Sequence, residues 1–79
     1  MFEVRLSLSN NTLKISADAD TELQRMLLTD FATSIGEIWE SWAGDSEWCL
    51  SIPLGVHGTQ IVKGTIASFR DIGAVVVIR

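Results

Sequence analysis

The sequence predicts a small α+β domain in which a mixed β-sheet is covered by one long acidic amphipathic helix and one shorter helix, as a two-layer sandwich. Three features predict it: an alternating hairpin around Asn10 and Asn11, a helical hydrophobic period after Asp20, and an apolar β-branched run at the C-terminus. The chain has 79 residues, enough for one hydrophobic core and too few for two. Residues 1–79 are therefore expected to form a single domain.

The N-terminal segment has the pattern of a β-hairpin. Apolar side chains occupy every second position on both sides of a short turn: Phe2, Val4, Leu6, Leu8, Leu13, Ile15 and Ala17. Asn10 and Asn11, between the two runs, tolerate the left-handed backbone that a tight hairpin turn requires. We expect two antiparallel, half-buried strands.

After Asp20 the hydrophobic period becomes helical. Apolar residues recur at intervals of three or four: Leu23, Leu27, Phe31, Ile35, Ile38 and Trp42. The spacing predicts one helix over residues 21–43, interrupted only by Gly36, a poor helix former. Carboxylates at its start (Asp18, Asp20 and Glu22) should cap free amides, and Gly44 should end it.

A third strand is expected at residues 47–52, because Trp48, Leu50 and Ile52 alternate there and Pro53 prevents the strand from continuing as a central one. A loop follows it. The continuous apolar run of residues 74–78 is typical of a strand buried on both faces.

Residues 59–72 fit a helix better than a strand. Their apolar and small residues fall on one side of a helical wheel: Ile61, Val62, Thr65, Ile66, Phe69 and Ile72. Gly73 would end this helix. The predicted order is β-β-α-β-α-β; a strand at 59–72 would give β-β-α-β-β-β, similar to a β-grasp fold in element sequence only.

The charge is concentrated in one segment. The net charge is −4, yet eight of the ten acidic residues lie within residues 18–47, where Arg25 is the only base. The longest uninterrupted apolar run has five residues, against the ~20 of a membrane helix, and residues 1–20 lack the pattern of an export signal. With Cys49 as its only cysteine the chain forms no internal disulfide. We expect a cytoplasmic protein without a membrane contact.

The sequence offers no constellation typical of catalysis. His57 is the only histidine and Cys49 the only thiol, which are too few to fill a metal site or to build a nucleophile–base pair. Glu37 and Glu40 would be neighbours on a helix, but carboxylates opposite an apolar stripe usually form a solvated face. We expect no enzyme activity, no metal and no cofactor.

The most informative segment is residues 36–48, which holds all three tryptophans and four carboxylates. Tryptophan is enriched at binding hot spots, and complementary charge steers association. We predict a non-enzymatic protein-binding module, an inhibitor or adaptor that presents an acidic, tryptophan-containing surface to a basic, nucleic-acid-binding protein. Phage-encoded inhibitors and immunity proteins are similar in size and charge. The predicted contact residues are Glu22, Asp30, Glu37, Trp39, Glu40, Asp45 and Glu47.

Two alternatives use other parts of the chain. A glycine loop before a helix start can hold an anion, with Gly55, Gly58, Thr59 and Lys63 as the candidate residues of a nucleotide- or RNA-binding site. A homo-oligomeric structural subunit, such as a homodimer, could instead pair through the last strand.

The glycine loop also resembles, in outline, the KH RNA-binding domain, in which a Gly-x-x-Gly loop grips the nucleic-acid backbone. The positions that fit are Gly55, Gly58, Ile61, Gly73 and Ala74. Val56 and His57 stand where that family has basic residues, so the chain is not assigned to it. Net acidity argues against direct nucleic-acid binding.

Overall fold

The computed structural model describes residues 2–35, 39–44 and 46–79. They form β1 (Glu3–Ser9), β2 (Thr12–Asp18), α1 (Glu22–Ile35), β3 (Trp39–Ala43), β4 (Glu47–Pro53), α2 (Gly58–Asp71) and β5 (Val75–Ile78). The prediction of a small α+β fold with a mixed sheet and two helices is confirmed. The predicted element order is wrong by one strand.

The sheet has the strand order β3-β4-β2-β1-β5, and every pair is antiparallel except β1 with β5. One face of the sheet is buried, as the alternating patterns predict, through Val4, Leu6, Leu13, Ile15, Ala17, Trp48, Leu50 and Ile52. Buried residues of both helices belong to the same cluster: Leu28, Ala32 and Phe69. Both helices therefore cover one face, and the alternate residues of the strands form an open face.

The hairpin turn between β1 and β2 is confirmed. Asn10 and Asn11 both have positive φ, 52° and 56°. The side-chain amide of Asn11 also donates a hydrogen bond to the carbonyl of Leu54. This bond ties the turn to the loop that precedes α2.

The helix predicted over residues 21–43 ends at Ile35. Residues 39–43 form β3 instead, with Trp42 opposite Trp48 in an antiparallel pair with β4. The periods of helix and strand overlap in a segment this short, and pairing with β4 decides between them. Gly44, with φ of 65°, belongs to the β3–β4 connection and is not a helix stop. The predicted helical positions Gly36 and Ile38 lie outside the described residues.

Glu22 lies in the first turn of α1 as predicted, but the capping hydrogen bonds at its start come from uncharged side chains. Thr21 Oγ1 accepts a hydrogen bond from the Gln24 N–H at 3.2 Å, and Gln24 Oε1 accepts one from the Asp20 N–H at 2.7 Å. This reciprocal pair resembles a capping box. Asp18 lies on the sheet, where its carboxylate is 3.5 Å from Arg5.

Helix α2 confirms the helical interpretation of residues 59–72 and ends as predicted. Gly73 has φ of 85°, its N–H bonds to the Arg70 carbonyl, and the Ala74 N–H bonds to the Phe69 carbonyl. These bonds form a Schellman motif. The β-grasp-like alternative is therefore wrong.

The expectation that the last strand is buried on both faces is also wrong. β5 lies at an edge of the sheet, where Val75 is 42% exposed and Ile78 is 64% exposed. In the parts of the chain that the structure describes, neither helix is long and apolar enough to cross a bilayer. The cytoplasmic location stays a prediction.

Candidate functional site

The three tryptophans occupy different environments. Trp48 is fully buried and packs edge-on against Phe69, with ring centroids 6.5 Å apart. Trp42, on β3, is half-buried against the same core. Trp39 is in register with Ser51 on β4, and its side chain lies outside what the structure describes. Trp42, which sequence analysis placed on the apolar stripe of a helix, thus contacts the core from a strand.

Glu40 is not a free carboxylate of a helical surface. It lies on β3 opposite Leu50, and its Oε2 accepts a hydrogen bond from Trp48 Nε1 at 3.0 Å. The bond satisfies the only polar atom of a buried indole. We therefore assign Glu40 a structural contact that no sequence pattern indicates, because the two residues are eight positions apart.

The remaining predicted contact residues separate into two groups. Glu22 and Asp30 are exposed on α1, while Glu47 begins β4 opposite Asp18 and therefore faces the open side of the sheet. Glu37 and Asp45 lie outside the described residues. The structure thus brings Glu22 and Asp30 to one surface and places Glu47 on another.

Helix α1 exposes three large apolar side chains, of which Leu23 and Met26 lie in its first turns and were not predicted to be exposed. Leu23 is 65% exposed and Met26 is 56% exposed. The predicted apolar stripe included Leu23, but the buried stripe is centred on Leu28 and Ala32. A helix that ends at Ile35 packs only its middle against the sheet, which leaves its first turns uncovered.

Met26 borders a shallow cavity of about 350 Å³ between α1 and β3, lined by Glu22, Arg25, Met26, Thr29, Asp30 and Trp42. Leu23 lies one helical turn before Met26, on the same exposed side of α1. We call Glu22, Leu23, Met26, Asp30 and Trp42 the α1–β3 surface. It combines apolar side chains with the carboxylates of Glu22 and Asp30, and Arg25 lines the same cavity.

The alternative anion site is only partly assembled. Gly58, Thr59 and Lys63 line a cavity of about 430 Å³ at the first turn of α2, together with Leu8, Asn11, Leu54 and Val62, and Gly55 is not among the lining residues. The exposed lining of this cavity is mostly apolar, through Leu8, Leu54 and Val62, and Lys63 is its only cation. A cavity with this lining favours an apolar group over a charged phosphate.

On the open face of the sheet, the acidic side chains lie at one end of the strands and two basic side chains lie toward the other. Glu3, Asp18 and Glu47 lie at the end where β1 begins. Arg5 lies next to them and contacts Glu3 at 3.9 Å. Lys14, in register with Ser7, is nearer the opposite end. Arg79 is also nearer that end, because its N–H bonds to the Leu6 carbonyl. The sheet therefore has an acidic end and a basic end.

Within the described residues, no three side chains of the metal-ligating types form a cluster. Comparison with known proteins finds no match: no family model, no curated protein and no solved structure is detectably similar to this chain.

Proposed function

We propose that this chain is a non-enzymatic protein-binding module, an inhibitor or adaptor, that docks its α1–β3 surface on a basic face of another protein. The observation that carries the proposal is the exposure of Leu23 and Met26 between the carboxylates of Glu22 and Asp30. Exposure of adjacent large apolar side chains to water gives no favourable free energy. An apolar centre with a polar rim is typical of a protein–protein interface.

The two kinds of side chain have different roles in this interface. Burial of Leu23 and Met26 supplies affinity, at about 25 cal/mol for each Å² of apolar area removed from water. Trp42 forms the wall beside them and is held by its packing against the core, so little conformational entropy is lost on binding. Glu22 and Asp30 contribute mainly to the association rate and to the choice of partner.

A basic partner follows from the charge of the chain. The net charge is −4, and most of the acidic residues lie in the segment that contains α1 and β3. Carboxylates along a helix attract the Lys and Arg side chains with which a nucleic-acid-binding protein holds phosphates. A module of this kind would compete with nucleic acid for the partner.

The first experiment is affinity capture from nuclease-treated lysate of the native host, with three baits. The wild-type chain should retain a basic protein in stoichiometric amount, and the variant with Glu22→Lys and Asp30→Lys should lose it. The matched control, Glu47→Lys, reverses a carboxylate on the open face and should retain the same protein. Retention by all three folded baits would sink the proposal.

The second experiment uses the captured partner in purified form. Leu23→Ser with Met26→Ser should weaken binding by roughly 30-fold or more, as expected for hot-spot residues. Val56→Ser is the control, because Val56 is 95% exposed and lies in the loop before α2. An oligonucleotide that the partner binds should displace the wild-type chain, and added salt should slow association.

A further inference from the structure

The free edge of β5 differs from the other edge of the sheet. β3, at the opposite edge, carries the polar residues Glu40 and Ser41, whereas residues 74–78 include no charged or polar side chain. Charges on edge strands prevent pairing with other chains, and β5 lacks this protection. Within the described residues no strand pairs with its outer side.

The backbone bonds between β5 and β1 show which groups of β5 point away from β1, toward the free edge. The N–H groups of Val75 and Arg79 donate to the carbonyls of Phe2 and Leu6 on β1, both at 2.8 Å. Successive N–H groups of a strand point to opposite sides, so the N–H and carbonyl groups of Val76 and Ile78 face outward. They form a two-residue ladder without a partner strand.

We propose that β5 pairs with β5 of a second copy of this chain, antiparallel and around a two-fold axis at Val77. Val76 then lies opposite the partner copy's Ile78, and the four outward-facing groups on each copy can form a closed set of hydrogen bonds. Val76 and Ile78 both belong to the helix-covered face, since they are in register with Val4 and Leu6. The two sheets join into one, with the helices of both copies on the same side.

Charge complementarity favours a second copy as the occupant. Antiparallel pairing places the basic end of each sheet beside the acidic end of the other. In this register Arg79 of one copy lies opposite Val75 of the other, and Val75 is in register with Glu3. Arg79 and Glu3 are then two strand spacings apart, about 10 Å, on the open face, a distance that two long side chains can bridge. The two-fold symmetry of the dimer produces two such pairs of Arg79 and Glu3.

The first test removes an outward-facing N–H. Ile78→Pro leaves the bonds donated by Val75 and Arg79 intact, because the Ile78 N–H does not face β1. Ile78→Thr is the control that keeps the N–H. Sedimentation velocity over a wide concentration range should show a weak, concentration-dependent wild-type dimer, retained by the threonine variant and weakened roughly tenfold or more by the proline variant. A wild-type monomer at every concentration would overturn the proposal.

The second test checks the register and does not depend on the stability of the proline variant. Val77→Lys and Val77→Glu each place like charges against each other at the two-fold axis, so each variant alone should be monomeric. An equimolar mixture of the two should associate, because opposite charges then meet. The control pair, Ser41→Lys and Ser41→Glu, lies on the opposite edge strand and should leave the dimer unchanged. A mixture of Val77 variants that stays monomeric contradicts this register.

Discussion

The Nε1–H of the fully buried Trp48 donates a 3.0 Å hydrogen bond to Glu40 Oε2, across the antiparallel pair of β4 and β3. This bond links the edge strand to the core side chain with the largest volume. Glu40 is itself exposed, and the bond engages only one of its two carboxylate oxygens.

Replacement of Glu40 should therefore affect stability. Glu40→Ala leaves the buried indole N–H without an acceptor, and we expect it to lower the free energy of unfolding by about 1–3 kcal/mol. Glu40→Gln keeps an acceptor oxygen and should cost less than half as much. Urea denaturation measures both. Equal losses for the two variants would show that the charge, and not the hydrogen bond, is what the fold requires.

Leu28 and Leu23 provide a matched pair on α1. Leu28 is fully buried, so Leu28→Ala should cost about 2–5 kcal/mol. Leu23 is 65% exposed, so Leu23→Ala should change stability by no more than about 0.5 kcal/mol. Thermal and urea unfolding of the two variants check the position of the buried stripe, and comparable losses would contradict it.

Asn11 has two roles in the hairpin turn, a positive φ and a side-chain bond to the Leu54 carbonyl. Asn11→Ala should cost about 1–2 kcal/mol, because alanine disfavours that backbone and cannot form the bond. Asn11→Gly accepts the backbone and lacks only the bond, so its loss should be smaller. If urea denaturation showed the glycine variant to be less stable than the alanine variant, the backbone conformation of the turn would not be the main contribution of Asn11 to stability.

The alternative of an anion site at the loop before α2 can be tested directly. The cavity beside Gly58 and Thr59 has mostly apolar walls and one cation, Lys63. We expect the amide NMR shifts of Gly58 and Thr59 to stay unchanged when a nucleoside triphosphate is added. Saturable shifts that disappear in Lys63→Gln would instead support a phosphate site at this loop.

Local patterns were sufficient for the N-terminal hairpin and for the second helix. The alternation of β1 and β2, the positive φ at Asn10 and Asn11, and the helical spacing of α2 all follow from short-range preferences, and the structure has each of them. The candidate site was predicted less well. Glu22 and Asp30 were identified from charge, but the apolar pair Leu23 and Met26 was missed, because a helical period alone does not show which part of a helix the sheet covers.

The sequence by itself determined the α+β class, the buried face of the hairpin and the acidic character of the middle segment. The tertiary structure decided three further points. Residues 39–43 became a strand because β4 offered them a partner, Glu40 became an acceptor because that pairing brought it to Trp48, and β5 became an edge because its outer side has no partner among the described strands. Each depends on contacts between distant residues, whose free energy no local pattern contains.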